Sequence, residues 1–226
     1  MGPADMNPRY KGTQYRGPAT AEPNNAISLE RMMHDIIKAQ IAESVSVLSA
    51  MLEDQRLIAV VSAVTDACVL ALQNGNKLLF MGNGGSAADC QHLAAEVVSR
   101  FAFDRPGLPA IALTTDTSVL TAIGNDYGYE HLFSRQVQAL GRPGDVIFGI
   151  STSGRSPNVI RALEQSQSLG LITVGMTGNK RARMTEVVDH CIEIPSDSTP
   201  KIQEGHIVLG HIICGLIEQR LFLPSR

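Results

Sequence analysis

Residues 146–157 have the sequence V-I-F-G-I-S-T-S-G-R-S-P, and their order indicates how the chain folds. The apolar run 146–150 is typical of a buried strand, and Pro157 is typical of the first turn of a helix. The turn between them carries four hydroxyl side chains, three more than a helix cap needs. Because a helix start presents N–H groups and partial positive charge, these hydroxyl groups favour a bound phosphate over a simple capped turn. The turn lacks the Gly-Lys-Ser/Thr string of an NTPase P-loop, so the predicted ligand is a phosphorylated metabolite.

The rest of the chain repeats this alternation of strand and helix. Strands are predicted at 77–81, 110–113, 146–150, 172–176 and 191–194, and helices of about a dozen residues at Ser86, Tyr129, Pro157 and Arg181. The strand runs are apolar throughout instead of alternating, as in parallel strands that are covered on both faces. The sequence therefore predicts an α/β fold with a single doubly wound, five-stranded parallel sheet.

The chain is predicted to form one domain after a short extension. Residues 1–26 are rich in Pro, Gly, Asn and Thr and lack apolar periodicity, which predicts a flexible N-terminal extension. The folded domain is predicted over 27–226. Its parts are N-terminal helices at 28–74, an α/β core at 77–195 and a C-terminal helix at 203–222. The first N-terminal helix is expected to begin at Ser28, and the second, over 52–72, to end at a C-cap formed by Asn74-Gly75.

The composition excludes several classes of function. A formal charge of −3 and 4% aromatic residues leave neither a basic surface nor stacking side chains for nucleic acid. Residues 1–25 lack an apolar leader, and the apolar stretch 207–217 is too short to span a membrane. We therefore expect a cytoplasmic protein that binds neither nucleic acid nor a membrane. No CxxC spacing links the cysteines, which are expected to be reduced core residues: Cys68, Cys90, Cys191 and Cys214.

Two loops that follow predicted strands are expected to share one crevice. One is G-N-G-G-S at 82–86, and the other is the hydroxyl-rich turn 151–156. In doubly wound sheets, ligands bind beyond the carboxyl ends of the strands, where the strand order reverses. Because residue 87 is Ala, the first loop lacks the G-x-G-x-x-G spacing of a dinucleotide loop, and no nucleotide cofactor is expected. In its structural role the loop is a tight turn in which Ser86 caps the next helix and Asp89 completes the capping box.

Four polar side chains on two predicted helices could form a metal site. His92 and Glu96 lie four residues apart and so share one helix face. Such a pair can bind a transition metal or place a base beside a substrate, although a surface ion pair explains most such pairs. Gln203 and His211 share one broad face of the last helix, where His211 could equally be a hydrogen-bonded core residue. The spacing does not show whether the two helices meet.

Five strings, which cover nearly every loop of the predicted crevice, match a known family. They are G-N-G-G-S-A-A-D-C-Q-H-L-A-A-E (82–96), R-F-A-F-D-R-P-G-L-P-A (100–110), A-I-G-N-D-Y-G-Y (122–129), I-S-T-S-G-R-S-P-N-V-I (150–160) and K-I-Q-E-G-H-I-V-L-G-H (201–211). Through them the chain from about residue 33 to 222 resembles the sugar isomerase (SIS) domain proteins, and within these the bacterial phosphoheptose isomerases. Taken alone, the segment 124–128 inside the third string is typical of a turn.

The resemblance implies both a reaction and an assembly. Members of this family convert sedoheptulose 7-phosphate to glycero-manno-heptose 7-phosphate through an enediol, a step toward the heptose of bacterial surface polysaccharides such as lipopolysaccharide. They form homotetramers with sites at subunit interfaces. By resemblance, Glu96 and His211 are the acid–base pair, and each subunit binds zinc.

The same resemblance assigns most polar residues of the crevice. The residues implied to contact the sugar are Asn83, Gly84, Gly85, Glu96, Asn125, Asp126 and Gln203. Those implied to hold the phosphate are Ser151, Thr152, Ser153 and Ser156. The implied zinc ligands are His92, Glu96, Gln203 and His211.

A non-catalytic SIS adaptor is the alternative. The replication-initiator-associating protein of bacteria shares this fold and the tetramer, and it resembles this chain through residues 100–110 and the C-terminal Leu-Phe ending. That relative lacks acid–base groups where this chain has Glu96 and His211, so the presence of both favours the enzyme. A sugar-phosphate-sensing regulator would need a DNA-binding segment, which the sequence lacks.

Overall fold

The structure, a computed structural model, describes residues 23–179 and 182–223, with side chains described from Leu29 onward. Contacts divide the described chain into two units, with the boundary between Ala42 and Glu43. Of the predicted flexible extension, residues 1–22 lie outside the described residues, whereas Pro23 already begins the first helix. This helix therefore starts before the predicted position, Ser28.

Helices and strands alternate along the described chain after two N-terminal helices. In chain order the elements are α1 (Pro23–Glu53), α2 (Gln55–Gln73), β1 (Leu78–Gly82), α3 (Gly85–Val98), β2 (Ala110–Ala112), α4 (Thr117–Asp126), α5 (Ser134–Leu140), β3 (Val146–Ile150), α6 (Pro157–Ser168), β4 (Ile172–Gly178), β5 (His190–Ile194) and α7 (Thr199–Phe222). Short 3-10 turns follow α4 and β4, at Tyr129–His131 and Arg183–Glu186. The last helix begins before the predicted residue 203, with a proline in its first turn.

The five strands form one parallel sheet in the order β2-β1-β3-β4-β5. The predicted doubly wound, five-stranded α/β fold is thereby confirmed. Since β1 pairs with β2 on one side and with β3 on the other, the strand order reverses between β1 and β3. Gly82 at the end of β1 and Ile150 at the end of β3 are paired in register. The two loops of the predicted crevice therefore begin side by side.

Alternate residues of the strands face two separate apolar cores. On β1, Leu78 and Phe80 lie in the core formed with α2, α3 and α7, whereas Leu79 and Met81 lie in the core formed with α5 and α6. The rings of Phe80 and Phe148 stack, with centroids 4.9 Å apart. Both faces of the sheet are covered, which is why the strand sequences are apolar throughout.

Asp54 separates α1 from α2. Its side chain accepts hydrogen bonds from the backbone N–H groups of Arg56 (2.9 Å) and Leu57 (3.0 Å), as an N-cap does. Because this cap fixes the start of α2, the helix begins after Asp54 and not at the predicted residue 52. Its predicted end is confirmed: Asn74 is the C-cap, and Gly75 has a left-handed φ of 79°.

Among the described helices, α2 is the one that is long and apolar enough to cross a membrane by length and composition alone. It is also a core helix of the α/β unit, in which Val64 and Cys68 are fully buried. Core helices of soluble proteins pass the same test, so a single such helix is weak evidence for a membrane span. Of the four cysteines that were predicted to be core residues, three are buried and Cys191 is partly exposed. Their reduced state stays a prediction.

Two predicted helices are wholly or partly 3-10 turns in the structure. The segment after Gly128, whose φ is 90°, forms the 3-10 turn Tyr129–His131 before α5 begins. The helix predicted from Arg181 is instead the 3-10 turn Arg183–Glu186, while residues 180 and 181 lie outside the described residues. The buried Met184 packs beside Gly175, where an added Cβ would lie 2.8 Å from Met184 Cγ. One turn is enough to bury this side chain against β4.

Candidate active site

The loops after β1 and β3 are joined through two asparagines. Nδ2 of Asn83 donates to Oδ1 of Asn158, and Nδ2 of Asn158 donates to Oδ1 of Asn83, both at 2.9 Å. Asn83 directly follows β1, and Asn158 is buried in the first turn of α6. These bonds span the point where the strand order reverses. We call the region between loops 82–86 and 151–156 the crevice.

The first loop starts α3 without a side-chain cap. The N-cap is Gly84, whose φ of 56° lies in the left-handed region that glycine adopts without strain. The prediction that Ser86 caps this helix with Asp89 as its partner is wrong, because Ser86 lies inside the helix and is buried. Ser86 packs against the end of β1, where a Cβ added to Gly82 would lie 2.9 Å from the Ser86 Cβ.

Three of the four hydroxyl groups of the second loop face one another. Oγ of Ser151 lies 2.9 Å from Oγ of Ser156 and 3.4 Å from Oγ of Ser153. Ser156 is the N-cap of α6, but its side chain makes no capping hydrogen bond. The backbone carbonyl of Thr152 accepts a hydrogen bond from the N–H of Gly178, which ties the loop to the end of β4. The loop is therefore not a simple capped turn, and its hydroxyl groups converge as an anion site requires.

Gly154 sets the path of this second loop. Its φ is 60°, and an added Cβ would lie 2.6 Å from the Cβ of Ala182 and 2.7 Å from Oγ1 of Thr177. A side chain at this position would therefore meet both a strained backbone and occupied space. The close approach packs the loop directly onto the end of β4.

His92 and Glu96 on α3 meet His211 on α7. The Nε2 atoms of the two histidines are 2.7 Å apart, and Oε1 of Glu96 lies 3.4 Å from Nε2 of His92. One ligand atom from each of the three residues lies within 4.8 Å of the others. The two helices do meet, which the spacing in the sequence left open. The cluster is also accessible, since the side chains of His92 and Glu96 are 47% and 24% exposed.

The three side chains fit a divalent transition metal. Two imidazole nitrogens and one carboxylate oxygen are donors that zinc takes in catalytic sites, where a further position stays open to substrate. His92, Glu96 and His211 supply this donor set from two packed helices. The residues present therefore fit the metal that the resemblance implies.

The other predicted site residues lie in two places. The Gln203 amide on α7 packs against Gly85, where the Cβ of any other residue would overlap it. Asn125 and Asp126 form the end of α4 and not a turn, and Nδ2 of Asn125 donates to Oδ1 of Asp126 at 2.8 Å. Asp126 lines a pocket of about 550 Å³ beside the edge strand β2. The contact of Asn125 and Asp126 with the sugar stays a prediction.

Asp89 lies one turn before His92 on α3 and was missed as a site residue. Burial raises the pKa of its carboxyl group, and the charges of His92 and His211 act in the opposite direction. Its Oδ2 is buried and has no hydrogen-bond partner among the described residues. The three-residue spacing from His92 was the available signal, because it places both side chains on one helix face.

A buried ion pair joins the ends of α3 and α7. Nε of Arg105 lies 3.2 Å from Oε1 of Glu218, and the two side chains are 3% and 1% exposed. Arg105 also donates to the carbonyl groups of Val97 (2.8 Å) and Glu96 (3.0 Å) at the end of α3. Glu218 accepts a hydrogen bond from the N–H of Ala102 at 2.7 Å. Burial would raise the pKa of Glu218, but backbone N–H groups and Arg105 hold it below its usual range.

This ion pair supports a loop that reaches the histidine cluster. The N–H of Phe101 also donates to Glu218, at 3.2 Å, and the Phe101 ring centroid lies 5.8 Å from that of His211. The sequence alone did not indicate the pair, although Glu218 directly follows the apolar run 212–217 of α7, which was the available signal. The ion pair therefore fixes the relative position of the helices that carry Glu96 and His211.

His206 lies on α7 between Gln203 and His211 and does not join the cluster. It is 1% exposed, its Nε2 lies 3.2 Å from the carbonyl oxygen of Thr177, and its Nδ1 has no partner among the described residues. Burial lowers its pKa to about 4, so the ring is neutral at pH 7. His206 is thus a core histidine that ties α7 to β4.

The parallel sheet, with a hydroxyl-lined turn and a glycine turn at its switch point, belongs to a SIS domain. The family model described as SIS domain matches residues 39–178. This match covers both loops of the crevice and the strands that carry them.

Similar proteins narrow this class further. A phosphoheptose isomerase of Burkholderia pseudomallei is 62% identical over 186 residues, which cover 82% of this chain and 94% of the relative. One from Aneurinibacillus thermoaerophilus is 58% identical over 190 residues, which cover 84% of this chain and 96% of the relative. The solved structure of a phosphoheptose isomerase from Neisseria gonorrhoeae is 40% identical in sequence, with a TM-score of 0.77. The match covers 83% of this chain and 99% of that one. The chain belongs to the phosphoheptose isomerase family and is an isomerase, and the adaptor alternative is not favoured.

Proposed function

We propose that this chain converts sedoheptulose 7-phosphate to glycero-manno-heptose 7-phosphate in the cytoplasm, toward the heptose of lipopolysaccharide and related surface polysaccharides. Its membership in the phosphoheptose isomerase family supports the substrate. The observation that carries the mechanism is the meeting of Glu96 and His211, which come from helices far apart in the sequence. No nucleotide cofactor takes part.

The reaction moves a proton between neighbouring carbons. In the ketose the carbonyl group is at C2, so removal of a proton from C1 gives an enediol, and return of a proton to C2 gives the aldose. Glu96 acts as the base that carries this proton, and His211 exchanges protons with the oxygens on C1 and C2. Each proton transfer of this kind contributes about two to four orders of magnitude in rate.

His92, Glu96, Gln203 and His211 would hold a zinc ion. When bound, the metal would polarise the carbonyl group and stabilise negative charge on the enediolate oxygens. A carboxylate bound to a cation is a weaker base, so Glu96 serves either as a ligand or as the base at a given step.

The other end of the crevice holds the phosphate. The hydroxyl groups of Ser151, Thr152, Ser153 and Ser156 would donate to its oxygens, together with the start of α6. The convergence of Ser151, Ser153 and Ser156 supports this role. The residues that we assign to the sugar are Asn83, Gly84, Gly85, Glu96, Asn125, Asp126 and Gln203.

The enzyme is expected to act as a homotetramer. Helix α1 carries apolar side chains at helical spacing that are each more than a third exposed: Leu29, Met32, Met33, Ile36, Ile37, Ile41, Val45, Leu48 and Leu52. An exposed apolar face of this length marks a surface that another chain covers. Contacts between subunits through α1 would remove it from water.

The proposed reaction is tested by the variant Glu96→Gln, which keeps the shape of the side chain but not its basicity. We expect isomerisation of sedoheptulose 7-phosphate to fall below detection while the oligomer stays folded. The matched control is Glu164→Gln on α6, an exposed glutamate paired with Arg183, which should retain full activity. Full activity of Glu96→Gln would contradict the assigned role of Glu96, and an inactive wild type would contradict the substrate.

The metal is tested separately with a chelator on the wild-type protein. We expect activity to be lost on chelation and restored by added zinc, with metal content followed by elemental analysis. Unchanged turnover by metal-free protein would exclude a catalytic zinc and leave the isomerase assignment intact.

A further inference from the structure

Three polar side chains from separate segments of the crevice form one hydrogen-bonded group, the amide network. It consists of Asn83 after β1, Tyr129 in the 3-10 turn before α5, and Asn158 in the first turn of α6. Tyr129 donates its hydroxyl proton to Oδ1 of Asn83 at 2.9 Å. Neither Tyr129 nor Asn158 has a part in the proposed mechanism.

The backbone fixes which way both amides face. The N–H of Val159 can only donate, and it lies 3.0 Å from Oδ1 of Asn158. Oδ1 of Asn158 is therefore an acceptor, and it also accepts a hydrogen bond from Nδ2 of Asn83. Consequently Oδ1 of Asn83 must face Nδ2 of Asn158. Since Asn158 is 1% exposed, its end of these bonds is shielded from water.

The amide network determines what Asn83 can still offer a ligand. Its Oδ1 accepts two hydrogen bonds, one from Asn158 and one from Tyr129, which occupies both lone pairs. One N–H of its Nδ2 donates to Asn158. The second N–H is the capacity that remains, so Asn83 acts on a ligand as a donor only.

A group that only donates distinguishes between states of the sugar. A hydroxyl group can donate or accept, whereas a carbonyl or enediolate oxygen can only accept. Fixed donors aimed at an oxygen that gains negative charge lower the barrier, because they need no reorientation during the reaction.

We propose that Tyr129 and Asn158 are positioning residues that hold Asn83 as a hydrogen-bond donor to the oxygen of the open-chain sugar that carries negative charge in the enediolate. This inference rests on the proposed function. Tyr129 acts through Asn83. Without the Tyr129 hydroxyl group, Oδ1 of Asn83 has a vacant acceptor site, so the amide could accept a hydrogen bond from the sugar as well as donate one. The effect falls on kcat, because the oxygen accepts most strongly in the transition state.

The test is a double-mutant cycle with Tyr129→Phe and Asn83→Ala on the full-length protein, with sedoheptulose 7-phosphate as substrate. Tyr129→Phe keeps the ring and removes one hydrogen bond, so we expect kcat to fall about tenfold with KM nearly unchanged. Asn83→Ala should lower kcat by about a hundredfold, the effect of losing a fixed donor. In the Asn83→Ala background, Tyr129→Phe should have no further effect on kcat. Tyr127→Phe on the same segment, whose hydroxyl group is 3.5 Å from Arg135, is the matched control and should match wild type.

The possible outcomes separate this inference from the proposed function. If the wild type does not isomerise sedoheptulose 7-phosphate, the proposed function fails and this inference fails with it. If the wild type is active, wild-type kcat in Tyr129→Phe overturns the inference alone. A change in KM with an unchanged kcat would also overturn the inference. An equal loss of kcat from Tyr129→Phe in the wild-type and Asn83→Ala backgrounds would overturn it too, because Tyr129 would then touch the sugar directly. Melting temperatures of all variants show whether a loss of kcat is a loss of folded protein.

Discussion

Replacement of Glu218 by Gln should destabilise the fold far more than its conservative chemistry suggests. The glutamine removes a charge from a position that is 1% exposed and leaves the Arg105 guanidinium, 3% exposed, without a counter-ion. It also presents an N–H₂ group where the carboxylate now accepts from the N–H groups of Phe101 and Ala102. Removing one partner of a buried pair costs about 3–5 kcal/mol. Because Arg105 keeps several backbone carbonyl acceptors, we expect about 3 kcal/mol.

The assay is urea unfolding of wild type and variant at pH 7 and at one protein concentration, since assembly makes apparent stability depend on concentration. With m-values of about 1–3 kcal/mol/M, the loss corresponds to a midpoint lower by roughly 1–3 M urea. The pKa of Glu218 is lowered by folding, so its charged form stabilises the protein above the ordinary carboxyl pKa of 4.5. The difference between wild type and variant should therefore shrink as the pH falls below that value.

The matched control is Asp66→Asn, which breaks the ion pair between Asp66 on α2 and Arg220 on α7. This pair also ends on α7, but its side chains are 57% and 48% exposed. An exposed pair contributes about 0–1 kcal/mol, so the midpoint should hardly move. Equal midpoint shifts for Glu218→Gln and Asp66→Asn would refute the argument that burial makes the Arg105–Glu218 pair important.

Two further predictions concern α7 and the phosphate loop. The pKa of His206 is about 4 when folded, against the ordinary 6.5, so its neutral form stabilises the fold above pH 6.5 and this stability is lost as the pH falls toward 4. Between pH 8 and pH 5 this lowers the free energy of unfolding of the wild type by about 2 kcal/mol. Urea unfolding at both pH values should show that His206→Gln loses about 2 kcal/mol less than the wild type. An equal loss in the variant would mean that His206 is not the group responsible. Gly154→Ala adds a Cβ at a φ of 60°, within 2.7 Å of Oγ1 of Thr177, and should raise KM for the sugar phosphate and lower stability by about 1–3 kcal/mol. Steady-state kinetics and urea unfolding measure both effects, and a variant with wild-type KM would show that the loop tolerates a side chain there.

Much of the sheet could be predicted because buried parallel strands have a recognisable local pattern, a short apolar run between polar residues. The apolar run 146–150 is bounded by polar residues, and β3 has the same bounds, Val146–Ile150. The start of α3 could not be predicted in the same way. Its N-cap is set by a left-handed backbone at Gly84 and by packing of Ser86 against Gly82, which a capping pattern does not show.

The candidate site also has a part that the sequence predicts and a part that it does not. The four-residue spacing of His92 and Glu96 predicts a shared face, because it depends only on helix geometry. Their contact with His211 depends on how closely α3 and α7 pack. Gly210 permits this approach, since an added Cβ there would lie 2.6 Å from Cδ2 of Leu93. Such an absence of side-chain atoms between distant segments has no signal in local sequence patterns.

The position of α7 after all five strands has a consequence for biosynthesis. Its 24 residues complete the core that α2 and α3 begin, and they bring both His211 and Glu218 to α3. During translation, one face of the sheet therefore stays open to water until α7 has left the ribosome. Nascent chains that stop early would expose apolar surface and would be substrates for chaperones, since their aggregation is driven by the same surface that folding buries. Quality control and catalytic competence thus depend on the same helix.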